Sequence, residues 1–491
     1  MRAAISVSGP KKPRLRGTLG GFELNPMYPL AKFELGMILL MLAIMTPAWL
    51  LNHPAIWPPA AVLGTVSLAI SLRFSKRFRG YQFTAWIIAV VTAAMLYPAQ
   101  FLHVGDFDMR NKWVMLIAIQ MVMFGMGTQM SLRDFAGVAK APRGVFVGIL
   151  CHFSVMPLVG LALTKIFGFP PEIAAGVILI GSCSSGLASN VMAYMAKSNL
   201  ALSVTVTAVT TMIAPLMTPL WMKLLAGTMV EVSFFKLMVE IIKIVLVPIG
   251  AALIHDYLKQ TESRAGVLPA RLGEADETEP LKLSRSLDRR DAGPTLPLGQ
   301  KIIYAIAAVT SAWLLFLVFG GWKFMPAHFT DGALTAIALV GFLSSAFVIG
   351  TVYHALATRQ PWLDKFMPTM AIVGILYVTA MTTASGRDNL LKVGALLFVA
   401  SILHNTAGYF FGYFLSRAAG LDKNSARSIA FEVGLQNGGM ASGLASAMGK
   451  LGTVGLAAAI FIPWMNISGS VLANYWSKRP VKTGQAEAER W

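Results

Sequence analysis

A carboxylate set inside a long apolar run is the costliest side chain in this sequence, and Glu432 is that residue, in FEVGLQNGGMASG. An ionisable group in such a setting faces a water-filled cavity or a partner cation. Gln436, one helical turn further on, and Asn437 beside it add amide oxygens on adjoining faces. In the first half of the chain, GSCSSGLASN carries Ser189 and Asn190, and LSVTVTAVTT carries Ser203 and Thr207. The last two stand four residues apart and so share one helical face. Carboxylate, amide and hydroxyl oxygens are hard donors that suit a small hard cation such as sodium. Taken singly, each of the hydroxyl and amide residues serves as well as interhelical glue. His152, within another apolar run, reads as a ligand, a proton carrier or a satisfied packing residue. Glu240 and Lys243 are spaced to neutralise each other on one helix, and His404 with Asn405 reads as an interhelical hydrogen-bonding unit.

The elements that must position these residues are membrane helices. The 491-residue chain is 56% hydrophobic and 13% charged, against about 25% charged residues in soluble domains. Runs of about 20 apolar residues recur, each long enough to cross a hydrocarbon core, and fourteen spans can be read between residues 34 and 475. The net charge of +18 follows topology rather than nucleic-acid binding. With the N-terminus in the cytoplasm, most of the 41 Lys and Arg fall on cytoplasmic segments, as the positive-inside rule requires. Both termini are then cytoplasmic, and the basic, acid-poor N-terminal arm shows no cleavable secretory signal and reads as a plain cytoplasmic arm, with an organellar transit peptide as the alternative. Residues 258–300, mixed in charge and rich in proline, read as a solvated cytoplasmic loop. Cys151 and Cys183 both lie in apolar runs, which argues against disulfides or a zinc site.

Two of the spans are marked as broken. Gly, Ser and Asn weaken the helix around Gly181–Asn190 and Glu432–Gly439 and free backbone carbonyls for ligation. The stretch SGLASNVMAYMAK from Ser185 matches GGMASGLASAMGK from Gly438 at five of thirteen positions with a constant offset. Lys197 and Lys450 end the two stretches on opposite sides of the membrane, the signature of inverted-topology repeats with a site near the midplane.

FGMGTQMSLRDF, the MPL at Met156–Leu158, GSCSSGLASNVMAYMAKSNLALSVTVT, ILHNTAGYFFGYFLSR, FEVGLQNGGMASGLA and WMNISGSVLANYW together resemble the bile acid:sodium symporter family, including its bacterial members. The resemblance covers most of residues 82–256 and 364–478 in order. It implies an all-α polytopic fold of two inverted five-helix repeats, divided into panel and core, with two discontinuous crossing helices. Four helices are additional: two in 34–81, and two in 301–363 inserted into the second repeat. The expected order is a basic arm (1–33), the added pair (34–81), the first repeat (82–227), the opening helix of the second (228–257), the polar loop (258–300), the inserted pair (301–363), the rest of the second repeat (364–478) and a tail (479–491).

The resemblance also implies site residues. One sodium site would use Ser189, Asn190, Ser203, Thr207 and Glu432. A second would use Glu432, Gln436, the carbonyls of Val433 and Leu435, and the position of His152, where the family usually has Gln. Leu187 and Met465 replace the Thr and His of bacterial relatives, while Asn437 and Asn466 remain candidates for substrate contact. The expectation is secondary, sodium-coupled symport of an organic anion, such as a bile acid, pantoate or a 2-oxo acid, in the bacterial cytoplasmic (inner) membrane. Its partners would be the bilayer and that small anion, with no nucleic acid and no organic cofactor. Three alternatives stay open: proton coupling at His152, an arsenite-type carrier using Cys183, and a ligand sensor that transports nothing. An enzyme is not expected, because no HExxH or GxSxG context links His152, His404 and Glu432.

Overall fold

The computed structural model describes residues 41, 46, 55–74, 81–264, 297–321 and 331–481; most of the expected span 34–53 and most of the loop 258–300 lie outside them. Two compact units divide at residues 79 and 80. In the first, α1 (Trp57–Ser71) opens on Pro58 and Pro59, where a missing N–H leaves no helical bond unmade. Those prolines start the helix rather than interrupt it.

The second unit begins with α2 (Gln82–Leu96), a two-residue hairpin of β1 (His103–Val104) and β2 (Phe107–Asp108), and α3 (Lys112–Gly127). It continues with α4 (Pro142–Phe167), α5 (Pro171–Ser182), α6 (Ala188–Met195), α7 (Leu200–Trp221), α8 (Phe234–Ile241) and α9 (Val247–Arg264). The remaining helices are α10 (Leu298–Phe316), α11 (Asp331–Arg359), α12 (Trp362–Ser385), α13 (Arg387–Ala418), α14 (Lys423–Gly434), α15 (Gly438–Ala447) and α16 (Leu456–Ser477). This is an all-α polytopic architecture. Eight described helices are long and apolar enough to span a bilayer, or nine if α3 and the helical turns at Leu132–Lys140, bent by 61° from it, form one span. Apart from the expected span 34–53, which the count does not cover, the difference from fourteen has physical causes. α1 and α2 have 15 residues each, about 22 Å at 1.5 Å per residue, and two expected spans are each split into two short halves. α9 also runs on to Arg264, into the segment expected as polar loop.

Packing sorts the helices of this unit into two sets. α3 packs on α12 and α9, α12 also holds α2, and α11 lies against α9 and α10. The other set gathers around α14, which is flanked by α13, α4, α7 and α6. Gly408 and Gly434 allow α13 and α14 to meet almost backbone to backbone: a Cβ on Gly408 would lie 2.7 Å from the Gly434 Cα. α15 and α16 bridge the sets, α15 touching both α3 and α16.

Candidate functional site

Two breaks face each other at the heart of the second unit. α5 ends at Ser182 and α6 starts at Ala188; α14 ends at Gly434 and α15 starts at Gly438. The intervening strands pair antiparallel at Ser185 and Gln436. The Gly186 N–H donates to the Leu435 carbonyl (2.9 Å) and the Asn437 N–H to the Ser184 carbonyl (2.8 Å). A helix end leaves its last carbonyls without partners, and in a bilayer interior no water supplies them. Each such carbonyl of α14 has a nitrogen of a side chain against it. His152 Nδ1 lies 2.9 Å from the Glu432 carbonyl, Gln436 Nε2 donates to Val433 at 2.6 Å, and Asn405 Nδ2 donates to Gly434 at 2.6 Å. On the other break, Thr218 Oγ1 donates to Ser182 (2.7 Å) and His152 Nε2 lies 2.8 Å from the Cys183 carbonyl.

Glu432 is fully buried. Its Oε1 accepts from Ser189 Oγ and Ser203 Oγ, each at 2.5 Å, and its Oε2 accepts from Thr207 Oγ1 at 2.8 Å. Ser203 Oγ is also 2.9 Å from Asn190 Oδ1, and Ser189 Oγ is 2.8 Å from the Gly186 carbonyl. The first set of expected ligands therefore converges on one point, drawn from α6, α7 and α14. Among the described residues, no Lys or Arg forms an ion pair with the carboxylate.

The second set is arranged differently. The Val433 and Leu435 carbonyls are occupied by Gln436 and Gly186, and His152 sits between two carbonyls rather than among free oxygens. A neutral imidazole has a single N–H and can serve only one of those carbonyls at a time. Gln436 Oε1 is buried with no hydrogen-bond partner.

Leu187, Asn437, Met465 and Asn466 line one cavity of about 340 Å³ beside the crossing, together with Gly438, Gly439 and apolar side chains of α2, α3 and α12. Asn437 caps α15 through Oδ1 to the Met440 N–H (3.0 Å), while its Nδ2 is buried and unpartnered. Cys183 gives its carbonyl to His152 and buries its thiol in the core.

Asn405, expected with His404 to form an interhelical hydrogen-bonding unit, does bond across helices to Gly434; sequence reasoning passed over Ser185, whose Oγ is 3.3 Å from Ser189 Oγ, and the groups that brace Asn405. There Ser468 donates to Asn405 Oδ1 and Tyr409 meets Ser468 at 3.2 Å. Polar residues two helices apart leave no joint signal in a linear pattern. Asn405→Leu, close to isosteric, leaves the buried Gly434 carbonyl bare and is expected to cost about 1–3 kcal/mol, read as a lower melting temperature in detergent.

Residues 116–268 match the Sodium Bile acid symporter family. The chain is 30% identical over 416 residues to the uncharacterized sodium-dependent transporter YocS of Bacillus subtilis, covering 84% of this chain and 96% of that protein. The chain belongs to the sodium bile acid symporter family. Other relatives in the family include the probable sodium/metabolite cotransporter BASS1, chloroplastic, of Arabidopsis thaliana, 25% identical over 401 residues (82% of this chain, 74% of that protein). The ileal sodium/bile acid cotransporter of Cricetulus griseus is 28% identical over 324 residues, 66% of either chain. As a member of this symporter family with eight described helices fit to span a bilayer, the protein is an integral membrane transporter rather than an enzyme.

Proposed function

We propose that this transporter moves a small organic monocarboxylate with a largely apolar body, driven by sodium held at Glu432. The observation that carries this reading is the imbalance of protons and oxygens around that carboxylate. Three hydroxyls, of Ser189, Ser203 and Thr207, each have one hydrogen to give, yet they face both Glu432 oxygens, Asn190 Oδ1 and the Gly186 carbonyl. An oxygen-rich, proton-poor cage without a basic side chain attracts a hard cation. Sodium is cargo here, and Gln436, Val433, Leu435 and His152 are assigned the role of a second, altered ligand group beside it.

The substrate follows from the adjoining cavity. No lining residue is charged, so an anion there is met by the N-terminal N–H groups of α6 and α15 and by the free Asn437 Nδ2. The volume of about 340 Å³ is near the lower end of small-molecule sites, about 300–1,000 Å³, which favours a pantoate- or 2-oxo-acid-sized molecule. Leu187 and Met465 present apolar surface to its body, and Asn466 lies on the same wall. The two breaks are read as centres of inverted repeats, with α10 and α11 as an insertion into the second, and the chain as resident in a bacterial cytoplasmic membrane with both termini inside.

Uptake of a panel of carboxylates into proteoliposomes, with and without an inward sodium gradient, tests the reading; an accepted substrate whose uptake ignores the gradient refutes it. Asn437→Ala is expected to raise the KM for that substrate about tenfold, the equivalent of one hydrogen bond to a charged group. Its sodium dependence should stay unchanged, and a shift in sodium affinity alone would move Asn437 out of the substrate site.

A further inference from the structure

Away from the crossing, a second polar cluster joins α9, α11 and the first turn of α12. His255 on α9 and His354 on α11 are 5% and 4% exposed. Their Nδ1 atoms face each other at 3.3 Å. The outer nitrogens face carboxylates: His255 Nε2 is 3.2 Å from Asp364 Oδ1, and His354 Nε2 is 3.1 Å from Glu262 Oε1. Lys259 Nζ lies 2.5 Å from Asp364 Oδ2, and the Tyr353 hydroxyl donates to Asp364 Oδ1 at 3.1 Å. Tyr353 also stands edge-on to the His255 ring, 4.9 Å between centroids. Of the other titratable groups nearby, Asp256 is held by Gln260, and Tyr304 of α10 lies near Glu262.

Counting protons decides what this arrangement holds. A carboxylate is an acceptor only, so both Nε2 atoms carry hydrogen. Two neutral rings protonated there would point two Nδ1 lone pairs at each other across 3.3 Å. One added proton converts that repulsion into an N–H···N bond, leaving three protons on four ring nitrogens. Charge also balances: Asp364 and Glu262 contribute two negative charges, Lys259 and the shared imidazolium two positive. We propose that His255 and His354 form a one-proton binding site that ties the added helix α11 to α9 and α12. The site goes beyond the sodium and substrate assignment and has a route to it. Asp364 lies in the first turn of α12, and Pro368, Ala371 and Ile372 further along the same helix line the substrate cavity. Proton binding at one end of α12 therefore biases the position of a cavity wall.

The sign is fixed by the geometry. The added proton completes the N–H···N bond, so the latch closes on proton binding and opens when the proton leaves with rising pH and the two lone pairs are left facing. The test is thermal unfolding of the purified full-length transporter in detergent, from about pH 5 to about pH 9, the range in which histidines change charge. The melting temperature of the parent is expected to fall by several degrees as pH rises, and His354→Gln and His255→Gln are each expected to remove that step. The double variant should match either single one, since two halves of one bond do not add. A step of parental size persisting in both single variants, or additive losses, overturns the proposal. Should the histidine variants fail to fold, Glu262→Gln keeps both rings and removes one facing negative charge; the step should then move to lower pH, and an unmoved step counts against the site. In proteoliposomes at a fixed sodium gradient, His354→Gln should flatten the pH profile of uptake while leaving its sodium dependence intact. A flattened sodium response would instead place the proton at the ion site and overturn the assignment.

Discussion

Sodium-driven uptake is expected to fall by more than about 100-fold in Glu432→Gln, with no loss of fold. Gln keeps the shape of the side chain: its oxygen can accept from Ser189 and Ser203, and its NH2 then faces the Thr207 hydroxyl, which can turn to accept. What disappears is the only formal negative charge in the cage. An interaction with a charged group in a dry site is worth about 3 kcal/mol, which is more than 100-fold in cation affinity at about 1.4 kcal/mol per tenfold. The melting temperature should hold or rise, because burying a neutral amide costs less than burying an ionised carboxylate. That combination separates a ligand from a structural residue. Gradient-driven uptake at the parental rate in Glu432→Gln would end the proposal that this carboxylate binds the driving ion.

Gly186→Val is expected to be the most damaging single change to the fold. A Cβ on Gly186 would come within 2.8 Å of the Gln436 carbonyl oxygen and 3.2 Å of its carbon. Both are backbone atoms of the opposing break and cannot rotate away. Parting the segments would also stretch the bond from Gly186 N–H to the Leu435 carbonyl. Overpacking costs about 1–3 kcal/mol, and an orphaned buried carbonyl adds about 1–3 kcal/mol. Together they are comparable with much of a protein's net stability. Fluorescence-detected size-exclusion chromatography should show aggregate or no protein. Gly332→Ala, at a position with no neighbour within 4 Å, is the matched control and should elute as the parent does. A monodisperse Gly186→Val peak of parental height would mean that the crossing has room the structure does not show.

The sequence carried the site's chemistry further than its connections. Glu432 was legible because a carboxylate amid apolar residues is costly wherever it occurs. Ser189, Asn190, Ser203 and Thr207 were legible as hard donors on shared helical faces, although their meeting with Glu432 depends on a contact across 225 to 243 positions. The helical class and the two breaks followed from apolar run length and from Gly, Ser and Asn within those runs. The states of the Val433 and Leu435 carbonyls were not legible, since backbone groups have no identity in a sequence and their partners arise only at the crossing. His152 was visible as a polar residue out of place, but not as a clasp between two carbonyls of different helices. The pairing of His255 with His354 was hidden for the same reason. Each is an ordinary residue near the end of an apolar run, and only the packing of α11 on α9 brings them together.

The facing breaks also constrain how the chain is made. The partners that satisfy Ser184 and Ser185 lie in Leu435 and Asn437, and the Ser185–Leu435 pair is 250 residues apart. At a translation rate of about 5–20 residues per second, that interval lasts on the order of ten to fifty seconds. Throughout it, the Ser184 carbonyl and the Gly186 N–H lack their partners, because the matching strand is not yet synthesised. Unpaired backbone groups are costly in hydrocarbon, so the nascent first half is expected to be held in a hydrated or protein-shielded place until the second break arrives.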